Sequence, residues 1–526
     1  MSSAALDATT PASRFRGLGR DRDGLRGFLV VLGLLPPLAL GLIVLPTSLA
    51  LAVALPFWLF VPWVWRRPVR GLYLILGATL LFEVFPLNFP DSLTDQVHFF
   101  LNLSNSTSQL QGVTVTPFEI VLLSVITIWI ASSVGHGRSL ELPTGPIVAA
   151  YTIYALVVVA AEIRGLAAGG TYLTSLWELR PQAYAMIAFV LASSLVRSRS
   201  DVVRVAAIFF SLVATKALVA VFRYLVTLHG NPSGLEAIMA HEESYFFALF
   251  LVGTVATAFW CRRRAVLICM IGLAPAVALA LIANQRRAGV LALVAGAGTL
   301  VVLAARFDPI NRRRLIIGGV LAVVVISLFL AVFWNQQSGL FGELVRPFHA
   351  FYQPDPRDYL SNGYRDAENL NLRLTMKSSP LFGVGFGLPM LYVYPMADIS
   401  RQYPLWNIIP HNTVLWIGMR MGALGFAAFF GLLAMAVLQA CRQATRRDVF
   451  LRGVAIFGVA AILMELVVGY TDLQLESYRN LIFFGILLGV IQRLPMLTDA
   501  PASPQHSLGA AAGAFPASRS VPLLRE

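Results

Sequence analysis

Charge is scarce in this chain of 526 residues. Asp, Glu, Lys and Arg together make up 13% of it, against about 25% in an ordinary soluble domain. That shortage excludes a soluble globular fold. Cysteine is scarcer still: Cys261, Cys269 and Cys441 are all there is. They fall in or beside apolar runs, with neither metal-ligand spacing nor a disulfide framework. The alternating dyads of a β-barrel are absent, and so is a Walker-type phosphate loop. No cleavable signal peptide is evident. Residues 1–26 are polar and Arg-rich, and no small-residue cleavage site follows the first apolar run.

What the chain has instead is apolar length, with 57% hydrophobic residues. Runs of about 17–20 apolar residues recur from Phe28 to Ile491, each long enough to cross roughly 30 Å of hydrocarbon. The expected fold is an all-α polytopic membrane protein of about fourteen transmembrane helices. The spans are expected near 28–46, 47–64, 71–88, 117–134, 146–163, 183–196, 205–227, 244–260, 265–283, 288–305, 315–334, 412–438, 453–471 and 480–493.

The net charge of +13 does not point to nucleic acid, because the basic residues sit in short loops between apolar runs. There they orient a membrane protein by the positive-inside rule. With both termini inside, nearly every Arg cluster becomes cytoplasmic. This divides the chain into a basic cytoplasmic tail (1–26), a transmembrane bundle (27–334), a large extracytoplasmic loop (335–410), a second bundle (411–494) and a disordered cytoplasmic tail (495–526). The loop at 89–116 carries Asn102-Leu-Ser and Asn105-Ser-Thr, glycosylation patterns expected to be chance matches. The inner loops leave no room for a nucleotide-binding domain. An enzyme built this way uses a donor already activated and delivered across the membrane.

The exception to the orientation rule is the hairpin tip Gln285-Arg286-Arg287-Ala288-Gly289, on the expected outer side. Arg286 and Arg287 can be interfacial arginines paired with lipid headgroups. They can equally form an anion site, since Arg binds phosphate in a bidentate way and a helix begins at the same place. His411 follows Pro410 and opens an apolar run. It is either an interfacial histidine satisfied locally or a group that exchanges protons with a substrate. Asn412 and Thr413 are placed to cap the helix start. The stretch Pro380-Leu-Phe-Gly383-Val-Gly385-Phe-Gly387 is expected to form a sharp bend rather than a nucleotide loop. The segment before it, Tyr364-Arg365 to Lys377, is expected to be an amphipathic surface helix. Glu83, Lys216 and Glu465 fall within expected spans, as a functional set or as a structural Lys–Glu pair. Tyr470, Asp472, Glu476 and Arg479 are expected in a last outer loop rimming the same site.

Three local patterns together resemble the O-antigen ligase/polymerase superfamily of bacterial envelope glycosyltransferases. His411-Asn412, nine residues, then Gly422-Ala-Leu-Gly425 is similar to the family's His-Asn…Gly-x-x-Gly pattern. Arg365 followed by Pro380-Leu-Phe-Gly-Val-Gly resembles its Arg-helix-PLFGVG stretch, with the usual intervening Trp replaced near Asn369. Gln285-Arg286-Arg287 resembles the short Arg-containing turn two spans before the large loop. The resemblance covers about residues 265–440.

It implies a membrane glycosyltransferase fold in the bacterial inner membrane. It implies an undecaprenyl-diphosphate-linked glycan as donor, a glycan or lipid-linked sugar as acceptor, and transfer at the outer face with no metal and no other cofactor. His411, Arg286 and Arg287 would be catalytic. Arg286, Arg287, Arg365 and Arg180 would bind the donor diphosphate, and His411 would orient or deprotonate the acceptor hydroxyl or assist the leaving diphosphate. Ligase and polymerase, which differ in acceptor, stay unseparated. The competing reading is a multi-pass transporter or flippase of lipid-linked sugars, which expects repeated halves and midplane polar sites. A non-catalytic membrane scaffold is a third.

Overall fold

The computed structural model describes residues 60–498, apart from 85–93, 95–96, 107–113, 138, 232–234, 236, 262, 337–340, 343–344, 346–347, 350–351, 354–355 and 402. Among these residues the regular structure is all helical, with no strand. The longer helices, in chain order, are α1 (Val69–Leu81), α2 (Pro117–Gly135), α3 (Pro146–Ala167), α4 (Tyr172–Leu195) and α5 (Arg199–Phe222). They continue as α6 (Glu243–Trp260), α7 (Arg264–Ala283), α8 (Arg287–Phe307), α9 (Pro309–Phe333) and α10 (Pro356–Ser378). The last are α11 (Thr413–Gln443), α12 (Val449–Thr471) and α13 (Tyr478–Arg493). Ten helices among the described residues are long and apolar enough to cross a membrane, as a multi-pass membrane protein requires. The basic tail, the C-terminal tail beyond residue 498 and most of the first two expected spans lie outside the described residues.

Several expected boundaries are corrected. The span near 71–88 is a helix of 13 residues that stops at Leu81, because Glu83 turns inward to pair with Lys216. The stretch left between the expected spans at 146–163 and 183–196 is instead largely helical, and its end, Trp177–Pro181, belongs to the first half of α4, which runs through Pro181. Its polar side chains made it look like a loop, yet they are buried and partnered. Glu178 meets Arg420, Arg180 meets Glu119 and Gln182 meets Glu476. The basic loop 306–314 shrinks to the junction of two helices, where Asp308 accepts from the Asn311 amide to cap α9. The amphipathic helix begins earlier than expected, at Pro356, and is docked on protein: Glu368, Asn371, Leu372 and Thr375 are buried.

Charges inside the bundle are paired. Lys216 Nζ donates to Glu83 and to Leu81 O (3.2 Å), with Glu243 at 3.6 Å. Arg479 donates to Glu243 at 2.7 Å and to the carbonyls of Thr79 and Leu80. Of the two alternatives for Lys216, the structure shows the Lys–Glu pair, and the partner is Glu83. Glu465 accepts from Asn480. Arg479 and Glu476 are buried, so they do not rim an open loop. Helix α13 lies close on α4, where a Cβ added at Gly485 or Gly489 would run into the backbone of Ala185 or Phe189.

The glycine stretch 383–387 locks the segment between α10 and α11 to the bundle. Gly383, Gly385 and Gly387 take φ of +70°, +88° and +75°, and Gly422 inside α11 takes +62°, a region that favours glycine. At Gly422 the helix breaks, and four backbone groups lose their partners. The loop replaces them in register. Val384 N donates to Met419 O (2.8 Å) and Gly385 N to Arg420 O (3.0 Å). Ala423 N donates to Pro380 O (2.9 Å) and Leu424 N to Leu381 O (3.2 Å). Every group freed by the break is paired again, as burial demands.

Beneath this junction Arg420, fully buried, donates Nε to Glu178 at 2.5 Å. Its other nitrogens donate to Gly385 O, Leu388 O and Ile408 O. Glu178 also accepts from Trp416 Nε1 (2.7 Å) and Gly387 N (2.7 Å). Removing one partner of a buried pair costs about 3–5 kcal/mol. We therefore expect Arg420→Ala, and equally Glu178→Ala, to lower the apparent melting temperature of the detergent-extracted protein strongly. Arg373→Ala, at an exposed position of α10, serves as the control and leaves it nearly unchanged.

Candidate functional site

The hairpin between α7 and α8 is built to hold two arginines at its tip. Gln285 takes φ +55° to turn the chain, Arg286 precedes α8, and Arg287 is its first residue. Buried Asn284 fastens the tip to the segment before α6. It accepts from Met239 N (2.8 Å) and donates to Ala240 O (3.2 Å) and Ser244 Oγ (2.8 Å). This brings His241 against the tip, where its Nε2 pairs with the Arg286 guanidinium. The Nδ1 side of His241 faces Asp472 Oδ2 at 3.9 Å. Asp472 ends α12 and is buried.

Helix α10 closes the site from above. Its residues at helical spacing face the hairpin and the start of α11. Asn362 Oδ1 accepts from Arg287 at 3.1 Å. Glu368, buried, grips His411 twice: Oε2 accepts from the His411 amide at 3.0 Å, and Oε1 lies 3.1 Å from Nδ1. Asn369 Oδ1 accepts from Asn412 Nδ2 (3.1 Å). Asn412 Oδ1 in turn caps α11 through Leu415 N (3.0 Å), and Thr413 Oγ1 donates to Gly469 O on α12. The Tyr364 ring stands edge-on to His411, with centroids 5.7 Å apart.

The electrostatics show what has been assembled. Burial alone would raise the Asp472 carboxyl. Its neighbours His241, Arg286, Arg365 and His411 outweigh burial and hold it well below the usual carboxylate range. Four basic residues from four separate stretches thus converge on one anion. Nearby Glu476 behaves oppositely: burial and then the Glu178 charge push its carboxyl well up. Burial, followed by the charge of Glu368, also raises the Tyr364 hydroxyl, leaving it a neutral hydrogen-bond donor beside His411. A cluster of Arg and His at helix ends, with one buried carboxylate, suits a multiply charged oxyanion such as a diphosphate.

Residues 266–430 match the family described as O-Antigen ligase. This match supports the resemblance of the segment to the O-antigen ligase/polymerase superfamily. No curated protein matches the chain. The family match supports a role in polysaccharide ligation or polymerisation. The matched stretch begins in α7 and ends in α11, so it contains Arg286, Arg287, Arg365, Glu368 and His411.

Of the residues named from sequence, the structure brings Arg286, Arg287, Arg365 and His411 of this matched segment together. It does not bring Arg180 to them by any contact. Arg180 Nε meets Glu119 at 3.1 Å, and its other nitrogens donate to Asn102 and Thr114 O, which ties α4 to the segment before α2. Glu368, Tyr364, Asn362 and His241 are site residues that the sequence reading did not single out. The spacing of Asn362, Arg365, Glu368 or Asn369, Leu372 and Thr375 marks one helix face and is the signal that would have found them.

The depressed Asp472 carboxyl has a consequence for stability. A carboxylate held below its unfolded value, about 3.9, stabilises fully above that value and loses the contribution as pH falls through its lower folded value. Asp472→Asn is therefore expected to cost about 3 kcal/mol near pH 7, the scale of a buried charge losing its partner. The stability gap to the unaltered protein closes as pH drops below about 4. Thermal unfolding of both proteins across that pH range measures it.

Proposed function

We propose that this protein transfers a glycan from an undecaprenyl-diphosphate-linked donor to a sugar acceptor. The setting is the outer face of the bacterial inner membrane, with both termini in the cytoplasm. The observation that carries this reading is the pair of hairpin arginines at the start of α8, Arg286 on His241 beside buried Asp472 and Arg287 on Asn362 of α10. That much positive charge at helix ends suits a leaving diphosphate. The positive-inside rule, applied to the remaining arginines, puts this end of the bundle outside.

In the proposed step the acceptor hydroxyl oxygen attacks the anomeric carbon of the donor. The bond from that carbon to the diphosphate oxygen breaks, and the diphosphate leaves with the electron pair. Arg286, Arg287 and Arg365 stabilise the charge that develops on it. The hydroxyl proton passes to His411. With Nδ1 committed to Glu368, Nε2 is the ring nitrogen left for the acceptor. The arginines supply the positive charge that a divalent metal provides in other phosphate chemistry, so the reaction is proposed to need none.

Glycan profiling of a deletion strain complemented with variants tests this. His411→Ala is expected to lower transfer by at least about 10²-fold, the usual share of a general base, with folded protein still in the membrane. Accumulated long lipid-linked chains would identify a ligase, and single unpolymerised repeats a polymerase. Arg286→Ala and Arg287→Ala are each expected to cut transfer severely. Near-normal profiles in both variants and in the double variant would remove the diphosphate clamp. In membrane vesicles, a chelator is expected to leave transfer unchanged, and metal-reversible inhibition would contradict the metal-free step.

A further inference from the structure

Downstream of the glycine loop, residues 391–394 form an extended stretch of large apolar side chains held rigidly in an exposed position. Leu391, Tyr392, Val393 and Tyr394 are 47%, 54%, 61% and 47% exposed. Their backbone is clamped by two buried polar residues of α10. Asn371 Oδ1 accepts from Val393 N (3.0 Å) and Tyr394 N (2.8 Å), and its Nδ2 donates to Tyr394 O (2.9 Å). Thr375 Oγ1 accepts from Leu391 N (2.9 Å).

The Tyr392 ring itself is fixed. Its hydroxyl donates to Met396 O (3.0 Å) and accepts from Met396 N (2.8 Å). Trp406 stands edge-on behind it, with centroids 5.9 Å apart and planes at 86°. A backbone bond from Met390 N to Asn407 O (2.8 Å) holds the two stretches of this platform together. An aromatic ring that only dips into lipid needs no such orientation. A ring locked at both ends while exposed is preorganised for a ligand with a flat apolar face.

We propose that Tyr392, backed by Trp406, is a stacking subsite for a pyranose ring of the glycan that this protein handles. The C–H groups on one face of a pyranose carry partial positive charge and suit the negative face of an aromatic ring. The subsite is continuous with the transfer centre. Glu368 of α10 holds His411, and Asn371, on the next turn of the same helix, clamps Val393 and Tyr394. The exposed ring of Tyr392 is thus held from the same face of α10 that holds His411. Binding energy gained at such a distance from the reacting carbon helps hold the glycan in register. The assignment rests on the glycan-transfer reading above, and the ring belongs either to the donor glycan or to the acceptor.

Saturation-transfer NMR on the full-length protein in detergent tests it, with the methyl glycosides of glucose, galactose, mannose and N-acetylglucosamine as probes. At least one glycoside is expected to show transfer to the protons of one ring face. Tyr392→Ala is expected to weaken that binding about three- to ten-fold, and Tyr392→Phe, which keeps the ring, much less. Tyr392→Leu keeps apolar bulk without an aromatic face and is expected to behave like Tyr392→Ala. Unchanged sugar contact in the Leu variant would make the position a lipid-facing apolar surface and overturn the proposal. So would the absence of saturation transfer to every glycoside in the unaltered protein. In the transfer reaction, a KM raised for the lipid-linked donor alone assigns the subsite to the donor, and one raised for the acceptor alone assigns it to the acceptor. His411→Ala separates the two ideas. A His411→Ala protein that keeps full transfer rejects the proposed reaction, while loss of sugar contact in the Tyr392 variants still establishes the subsite.

Discussion

The buried ion pair between Glu178 and Arg420 is the constraint on which the structure around the site depends. It is more than a pair. Every nitrogen of the Arg420 guanidinium is used: one on the carboxylate, the others on three carbonyls of the loop that leads from α10 back to α11. Glu178 returns the grip on Gly387. A charge taken out of water must be repaid in hydrogen bonds, and here the repayment is made by the backbone of the segment that roofs the site. The path of that segment is thereby dictated by the needs of a guanidinium below it. The broken helix at Gly422 adds a second tie of the same kind, with four backbone groups exchanged between loop and helix. Placed by these two ties, α10 delivers Glu368 to His411 and Asn362 to Arg287.

The site so formed has a built-in electrostatic problem. Several cationic side chains crowd one place before any substrate arrives. Asp472 answers part of it, lying buried among them with its carboxyl held ionised by their field. His241 answers another part. It stands between Asp472 and Arg286, so the guanidinium is oriented through an imidazole. Fixed dipoles and charges of this sort need no rearrangement at the moment of reaction, which is the main source of electrostatic catalysis. In the proposed transfer, the diphosphate would enter a ring of charge already balanced and aimed.

Much of this was legible in the residues. The apolar runs marked the helices, and the hairpin arginines stood out because they broke an orientation pattern that the others obeyed. Pro410-His411-Asn412 announced the start of α11 by ordinary capping chemistry. What failed did so for one reason: polar residues were read as exposed. Glu178, Arg180 and Gln182 looked like loop and are buried in α4, because each has a partner far away in sequence. Glu178 and Arg420 are 242 positions apart, and no local pattern reports a pairing at that range. Glu368 was missed for the same reason: its helix was expected to lie on the membrane surface, so its polar face was read as solvated, and it is buried.

The charges inside the bundle bear on how the chain is assembled. A Lys or Arg near the middle of a span costs about 2.5–3.5 kcal/mol on insertion, so each needs its partner early. Lys216 is synthesised after Glu83 and finds it waiting. Glu243 comes next, and the cation that meets it at close range, Arg479, belongs to α13, near the end of the chain. The same helix fits its glycines against the backbone of α4. Until α13 arrives, the bundle therefore holds an acid that shares Lys216 with Glu83, and an open groove along α4. The last helix is the closing piece, and a ribosome that stops short of it leaves a membrane protein that is out of electrical balance.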